Sequence, residues 1–235
     1  MCYFMRRTLI IIFSFILTDS FAQISVDTSV KHQYDSAYKK LSSDIRKNLE
    51  RTQNELLKSY NKLSAKSKKN FPFSPLNIAK VTLHTIDTLN KGEVKSGNYF
   101  YQKEKYPIMF CDGGLISDTL GIVLYPGVAQ NSSINITHLI VHDTVRTEYD
   151  EWIKYDTIFR TSLQQEKTNA LTLPFTTSKF VLSDTNFVVG KTIYGYADIL
   201  SKTYYQDNES FKIGYIARSL HFRYYFKFVV KKNST

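Results

Sequence analysis

The sequence predicts an α+β fold that is mainly β, with a long N-terminal amphipathic helix followed by an antiparallel β-sandwich. Three observations predict it. A segment without Gly or Pro repeats its apolar residues with a helical period, and the remainder alternates with a period of two. The chain also contains 17 Tyr and 16 Phe in 235 residues, and these side chains favour strands. The predicted divisions are a signal peptide at 1–22, a basic amphipathic helical segment at 23–72 and a β-sandwich domain at 73–235.

The composition excludes several classes of protein. Hydrophobic residues make up 43% of the chain and charged residues 22%, which is typical of a folded protein rather than a disordered one. The 9 Gly and 5 Pro exclude collagen-like and low-complexity chains, and 2 Cys are too few for a disulfide scaffold.

The first 22 residues have the three parts of a secretory signal peptide. Arg6 and Arg7 precede the apolar run 8–17, and small residues occupy positions −3 and −1 of a cut between Ala22 and Gln23. The run is too short to cross a membrane, which takes about 20 apolar residues. The alternative is a short buried helix. The pattern predicts export to the periplasm, the cell surface or the medium.

One cysteine remains after the predicted cleavage, because Cys2 leaves with the leader. Cys111 is therefore either buried or paired with another chain. Its apolar neighbours Met109 and Phe110 favour burial.

The segment 30–69 predicts a single amphipathic helix. Asp27, Thr28 and Ser29 are acceptable N-caps, and Pro72 ends the segment. At about 1.5 Å per residue, a helix of this length is longer than a small domain is wide, so it is kinked, partly free or paired with a partner. Its apolar stripe consists of Tyr34, Tyr38, Leu41, Ile45, Leu49, Leu56, Tyr60 and Leu63.

Positive charge is concentrated on this segment. Residues 30–70 contain 11 Lys and Arg against 4 Asp and Glu. A basic helix of this kind predicts a protein partner, an envelope glycan or anionic lipid, including peripheral contact with a membrane. The alternative is an ordinary solvated face. Export makes nucleic acid an unlikely partner, so we predict none.

The chain after residue 76 reads as strands separated by turns. In 219–232 apolar residues alternate with mostly cationic ones, as in a half-buried antiparallel strand. This spacing is typical of an antiparallel sandwich or barrel. The segments 142–147 and 155–161 resemble each other and predict a hairpin. The other candidate strands are 79–87, 98–102, 108–111, 119–125, 134–147, 152–161, 179–182, 192–200 and 211–218.

Motifs for catalysis, metals or cofactors are not found. His138 and His142 have the i, i+4 spacing of a metal pair on a helix, but on a strand they lie about 13 Å apart. Cys111 with a distant His is a weak candidate for a nucleophile pair, and a buried core thiol is the better interpretation. The sequence therefore predicts no catalytic, cofactor-binding or metal site and favours a protein that is not an enzyme.

One short motif recurs. Asp followed by Ser or Thr and then by a small or branched apolar residue occurs five times. It resembles the acceptor motif of a general O-glycosylation system for exported proteins in some Gram-negative bacteria. An equally good interpretation is that Asp-Thr opens a strand after a turn. The resemblance implies candidate acceptor hydroxyls on Ser36, Thr88, Thr119, Thr144 and Thr157.

These observations favour an exported, non-catalytic protein that binds a partner or supports envelope assembly. One alternative is an exported hydrolase whose carboxylates lie near the predicted hairpin. Another is a small outer-membrane β-barrel. The carboxylates considered for the hydrolase are Asp143, Asp150, Glu151 and Asp156.

Overall fold

In the computed structural model, the described residues form a large, mainly antiparallel sheet that closes on itself, with one helix packed on its outer side. These residues are 21–64, 67–68, 77–89, 94–97, 108–126, 132–154, 156, 158–207 and 215–232. The N-terminal part contains strands β1 (Ala22–Gln23) and β2 (Ser25–Val26) and helices α1 (Val30–Lys39) and α2 (Ser43–Asn61).

The remaining strands follow in chain order. They are β3 (Ile78–Leu89), β4 (Val94–Gly97), β5 (Ile108–Ile116), β6 (Thr119–Tyr125), β7 (Ser132–Val141), β8 (Thr144–Ile153), β9 (Phe159–Arg160), β10 (Ala170–Leu182), β11 (Thr192–Ser201), β12 (Tyr204–Gln206) and β13 (Ile216–Lys232).

Eight strands form the closed ring. Their order is β3-β5-β6-β7-β8-β10-β11-β13, and the ring closes because β13 also pairs with β3. Each neighbouring pair is antiparallel, and the closing register runs from Ile216 opposite Leu89 to Phe226 opposite Ala79. Beyond the start of β3, the end of β13 pairs in parallel with β5. The architecture is an up-and-down barrel, which removes the exposed sheet edges.

Alternation along the strands fills the barrel interior with apolar side chains. On β13, every second residue from Ile216 to Val230 is buried, and the residues between them are at least partly exposed. Burial of an aromatic or large aliphatic side chain stabilises the fold by about 1.5–3 kcal/mol. The largest buried side chains are aromatic: Phe159, Phe175, Phe180, Tyr204, Phe222, Tyr224, Phe226 and Phe228.

The two ends of the barrel differ. At one end, two-residue turns at 117–118 and 142–143 join neighbouring strands. The N-terminal segment crosses this end: β1 pairs with β8, β2 pairs with β10, and Ile24 between them joins the core. The opposite end carries the longer connections, including β4, β9 and β12. Ala22 and Gln23, the predicted cleavage site, form β1, whereas residues 1–20 of the predicted signal peptide lie outside the described residues.

Helix α1 packs on the outside of the barrel. Its buried residues are Val30, Tyr34 and Ala37, and it contacts β11, β13 and β3. The Tyr34 ring meets the Tyr194 ring edge-on at a centroid distance of 5.4 Å. None of the α2 side chains that the structure describes is buried.

The predicted long N-terminal helix is wrong. The helical segment is bent, and its longest helix is the 19-residue α2. Leu41 is buried, and Ser42 then leaves the helical backbone conformation, with ψ of 153°. The Ser42 hydroxyl accepts a hydrogen bond from the Ile45 N–H at 3.4 Å and so caps α2. Two shorter helices, α1 and the capped α2, replace the continuous one. The chain is mostly β rather than α+β.

The predicted sandwich is also wrong, because the strands belong to one sheet that closes on itself. A period of two fits a barrel and a sandwich equally well, since both have one buried face. The predicted hairpin between 142–147 and 155–161 is wrong as well. Thr144–Ile153 is one continuous strand, and its hairpin partner is β7, across the turn at 142–143.

Two glycines allow aromatic rings to lie directly against the sheet. A Cβ on Gly113 would lie 2.1 Å from the Phe228 ring, and one on Gly195 would lie 2.2 Å from the Phe226 ring. We expect Gly113→Ala and Gly195→Ala each to lower the free energy of unfolding by about 1–3 kcal/mol, because the packed rings have no free space to enter. Chemical denaturation measures this.

Gly121→Ala is the matched control for both glycine variants. Gly121 is also in a strand, but its added Cβ would meet nothing closer than 3.9 Å. We expect its free energy of unfolding to stay within about 0.5 kcal/mol of the parent value. Equal losses for all three variants would contradict the packing explanation.

Candidate functional site

A groove lies on the outer face of the barrel beside α1. It has a volume of about 300 Å³ and is lined by Ala37, Lys80, Tyr196, Arg223 and Tyr225. These residues come from α1 and from the adjacent strands β3, β11 and β13. The floor of the groove is therefore the sheet itself, which is a rigid support for side chains that bind a ligand.

Strand register places the floor residues side by side. Tyr225 on β13 lies opposite Tyr196 on β11 and opposite Lys80 on β3. The two tyrosine rings have their centroids 4.9 Å apart and are tilted by 47°. Both rings are half-buried, so they present part of their surface to a ligand.

Cationic side chains surround the tyrosine pair. Burial lowers the pKa of Lys80, and the nearby ammonium of Lys40 lowers it further. The Lys179 ammonium lies 5.9 Å from the centre of the Tyr196 ring. Arg223 is more exposed and lies two residues from Tyr225 on the same face of β13. The groove thus holds positive charges close to one another.

One carboxylate interrupts this positive surface. Asp198 Oδ1 lies 2.7 Å from His221 Nε2, and its Oδ2 lies 3.5 Å from Arg223 Nε. The Tyr196 hydroxyl is also within 3.5 Å of Asp198 Oδ2. Burial is the main cause of the raised pKa of Tyr196, and the Asp198 charge adds to it. The edge of the groove therefore offers hydrogen-bond acceptors beside its cations.

The contacts of α1 fix the wall of the groove. Tyr34 packs on Tyr194, the Lys31 ammonium lies 5.5 Å from the Tyr194 ring centre, and the Lys227 ammonium lies 5.8 Å from the Tyr34 ring centre. Burial lowers the pKa of Lys227. Together these contacts hold α1 in place next to Lys80.

A separate polar cluster lies inside the barrel. His138 is fully buried, and its ring nitrogens hydrogen bond with the Thr147 hydroxyl at 2.8 Å and the Tyr224 hydroxyl at 2.5 Å. The Thr147 hydroxyl also forms a hydrogen bond with the Thr177 hydroxyl, at 3.0 Å. Burial lowers the pKa of His138 to about 3, so the ring is neutral at pH 7. The cluster satisfies its own polar groups and its members are buried, which gives it a structural role.

Another polar cluster lies at the end of the barrel with the longer connections. The Tyr149 hydroxyl donates to Glu151 at 2.8 Å, and Arg218 donates to Gln206 at 2.7 Å. Burial raises the pKa of Glu151, whereas the bond from Tyr149 and the charge of Arg218 oppose that rise. The cluster covers the apolar core at that end.

The thiol and the two histidines considered in the sequence analysis lie in separate places. Cys111 is buried, as its neighbours predicted, and burial raises the pKa of its thiol, which makes it a poor nucleophile. His138 points inward, whereas His142 lies in an exposed turn at φ of 53°. Within the described ranges, no group of three His, Cys, Asp or Glu could hold a metal ion.

The carboxylates of the hydrolase alternative do not meet in one place. Asp143 lies in the turn before β8, at the end of the barrel with the tight turns. Asp150 and Glu151 lie near the other end and, as neighbours in a strand, point to opposite faces. The Asp150 carboxylate accepts from the Thr172 hydroxyl at 2.7 Å. Asp156 is exposed.

The candidate glycosylation residues lie in different settings. Ser36 is in α1 and is half-buried, Thr119 begins β6 and Thr144 begins β8. Both threonines follow a two-residue turn that ends in Asp, as the strand-opening interpretation predicts. The Thr144 hydroxyl donates to the Val141 carbonyl at 2.9 Å. Thr88 lies in β3, and Thr157 lies outside the described residues.

Comparisons with protein-family models, with curated proteins and with solved structures find no match to this chain. Among the described residues, no helix combines the length and the apolar character that a membrane span requires.

Sequence reasoning missed the groove residues Lys80, Tyr196, Arg223 and Tyr225 as a site. The alternation of 219–232 puts Arg223 and Tyr225 on the outer face of a strand, but nothing in the sequence shows which strands flank it. The tyrosine-rich composition and the alternation of 219–232 were the only available signals.

The buried His138 makes stability depend on pH. Its pKa is lower in the folded chain than in the unfolded one, so the unfolded chain binds more protons between about pH 3 and the ordinary histidine range. Stability is therefore full above about pH 6.5 and is lost as the pH falls toward 3. We expect a contribution of at most about 1.4 kcal/mol per pH unit, measured by denaturation at several pH values.

His138→Gln tests this assignment because it removes the titrating ring. We expect a shallower fall in stability between pH 6.5 and 4 than in the parent, whatever the variant's stability at pH 7. His32→Gln, on the exposed side of α1, is the control and should keep the parent slope. A parent slope in His138→Gln would contradict the assignment.

Proposed function

We propose that this is an exported, non-catalytic binding protein, acting in the periplasm, at the cell surface or outside the cell, and that the groove beside α1 binds an anionic ligand. The observation that carries the proposal is the alignment of Tyr196, Tyr225 and Lys80 across three strands, with Arg223 beside them. Concave sites with aromatic floors and a few polar groups are typical of ligand binding.

The charges of the groove indicate the sign of the ligand. The ammonium groups of Lys80 and Lys40 disfavour each other, and burial disfavours the charged form of Lys80 as well. In the described part of the chain, Lys80 has no ion pair with a carboxylate. The attraction between an anion in the groove and these ammonium groups would offset both penalties, and this gain favours binding.

The basic helical segment forms part of the proposed site. Lys40 follows α1 and lies near Lys80, so the helix contributes charge to the groove as well as its wall. The partner predicted for the basic segment and the ligand of the groove are therefore one and the same in this proposal.

The geometry favours binding over the two alternatives. The carboxylates considered for a hydrolase lie at opposite ends of the barrel or on opposite faces of β8. The outward side chains of β8 include Arg146, Glu148 and Asp150. In a membrane-spanning barrel the outward side chains of a strand are apolar, because charged side chains that face lipid are destabilising.

Binding to sulfated dextran, with unmodified dextran as the neutral match, tests the proposal. We expect the purified protein to bind the sulfated polymer at least tenfold more tightly. The double variant Lys80→Gln/Arg223→Gln should lose at least tenfold of that affinity, because both groove cations are gone. Biolayer interferometry with immobilised polymer measures the affinities.

The control variant Lys154→Gln/Lys202→Gln loses the same total charge at exposed positions that do not line the groove. We expect its affinity to change less than twofold. Equal losses in the two double variants, or no preference for the sulfated polymer, would overturn the proposal.

A further inference from the structure

We propose, on the basis of the proposed function, that the ligand of the groove is a glycan that contains uronic acid, that is, a sugar chain with carboxylates on its pyranose rings. Three kinds of group lie at the groove: half-buried tyrosine rings and cations line it, and the carboxylate of Asp198 borders it. A simple inorganic anion would use only the cations. A carboxylated sugar has a part that fits each of the three.

The tyrosine pair fits the apolar face of a pyranose ring. A sugar exposes C–H groups on its faces and hydroxyl groups at its edge, and an aromatic ring offers a flat apolar surface for the former. The ring planes of Tyr196 and Tyr225 are tilted by 47° to each other, so the two rings do not form one flat surface. One ring of a sugar chain can rest on either tyrosine.

The cations lie where a ring carboxylate would project. Arg223 and Tyr225 share one face of β13 and are two residues apart, about 6.6 Å along the strand. Lys80 lies opposite Tyr225 on β3. A sugar seated on Tyr225 therefore has a cation beside it in two directions, and a carboxylate at the edge of its ring can reach one of them.

Asp198 is the group that distinguishes an anionic sugar from an anion without hydroxyl groups. A carboxylate only accepts hydrogen bonds, so it binds the hydroxyl donors of a sugar and repels anionic oxygens of any kind. It lies next to Arg223 and Tyr196, which line the groove, and so borders the region that an anionic ligand would occupy. A site for anions alone gains nothing from this residue, whereas a sugar hydroxyl can donate to it.

The size of the groove fits part of a chain. Its volume of about 300 Å³ is at the lower limit of typical small-molecule sites, which is room for one or two sugar rings. Single-stranded nucleic acid also uses cations and aromatic rings. Asp198 disfavours it, because a phosphodiester backbone offers no hydroxyl donor to a carboxylate and is repelled by its charge.

Isothermal titration with tetragalacturonate as the probe tests the inference. We expect binding that weakens at least tenfold when the probe's carboxylates are methyl-esterified. Tyr225→Ala and Asp198→Asn should each weaken tetragalacturonate binding at least fivefold. Circular dichroism and the midpoint of thermal unfolding show that each variant is folded, and Tyr225→Leu replaces Tyr225→Ala if that variant is not.

Asp198→Asn gives the discriminating result. It should weaken tetragalacturonate binding and leave oligothymidylate binding unchanged or tighter, because the thymidylate backbone has no sugar hydroxyl to donate and a repelling charge has been removed. If Asp198→Asn strengthens the binding of both probes, or if the methyl ester binds as well as the acid, the inference is overturned while the anionic groove stands. If no anion depends on Lys80 and Arg223, the proposed function itself fails.

Discussion

The register of β13 against its two neighbours is the constraint on which the rest of the structure depends. This strand pairs with β11 on one side and with β3 on the other, and so closes the sheet. The same pairing sends Tyr224 and Phe226 into the core and Tyr225 to the outer face. A shift of one residue would exchange the two faces, bury the cations and expose the aromatic core.

The interior depends on the close fit that this register produces. Phe226 and Phe228 lie against strand positions where only glycine leaves space. His138 bridges Thr147 and Tyr224, and so connects β7 and β8 with β13 across the barrel through hydrogen bonds. A buried polar group is stable only when its partners are in place, so this bridge favours one arrangement of the strands over its competitors.

Local features of this chain were predictable and long-range ones were not. The alternation of 219–232 correctly predicted a half-buried strand, and the apolar neighbours of Cys111 correctly predicted its burial. The length of the basic segment left a kink open, but the sequence does not place it at Ser42, because the apolar stripe continues across that residue and only the cap on α2 reveals the break.

The choice between sandwich and barrel depends on whether β13 meets β3, and periodicity within a strand does not contain that information. The groove was missed for the same reason. Lys80, Tyr196 and Tyr225 are far apart in the sequence and are ordinary outward-facing residues in their own strands. They form a site only after the sheet closes, and the acidic residues that the sequence did single out are kept apart by the same closure.

Cross-strand nuclear Overhauser effects between β13 and β3 test the closed register most directly. The account predicts backbone contacts that pair Tyr224 with Val81, Tyr225 with Lys80 and Phe226 with Ala79 in the folded protein. Those contacts place Lys80 beside the tyrosine pair. Contacts displaced by one residue, or no contacts between the two strands, would contradict the closed barrel and the groove that is built on it.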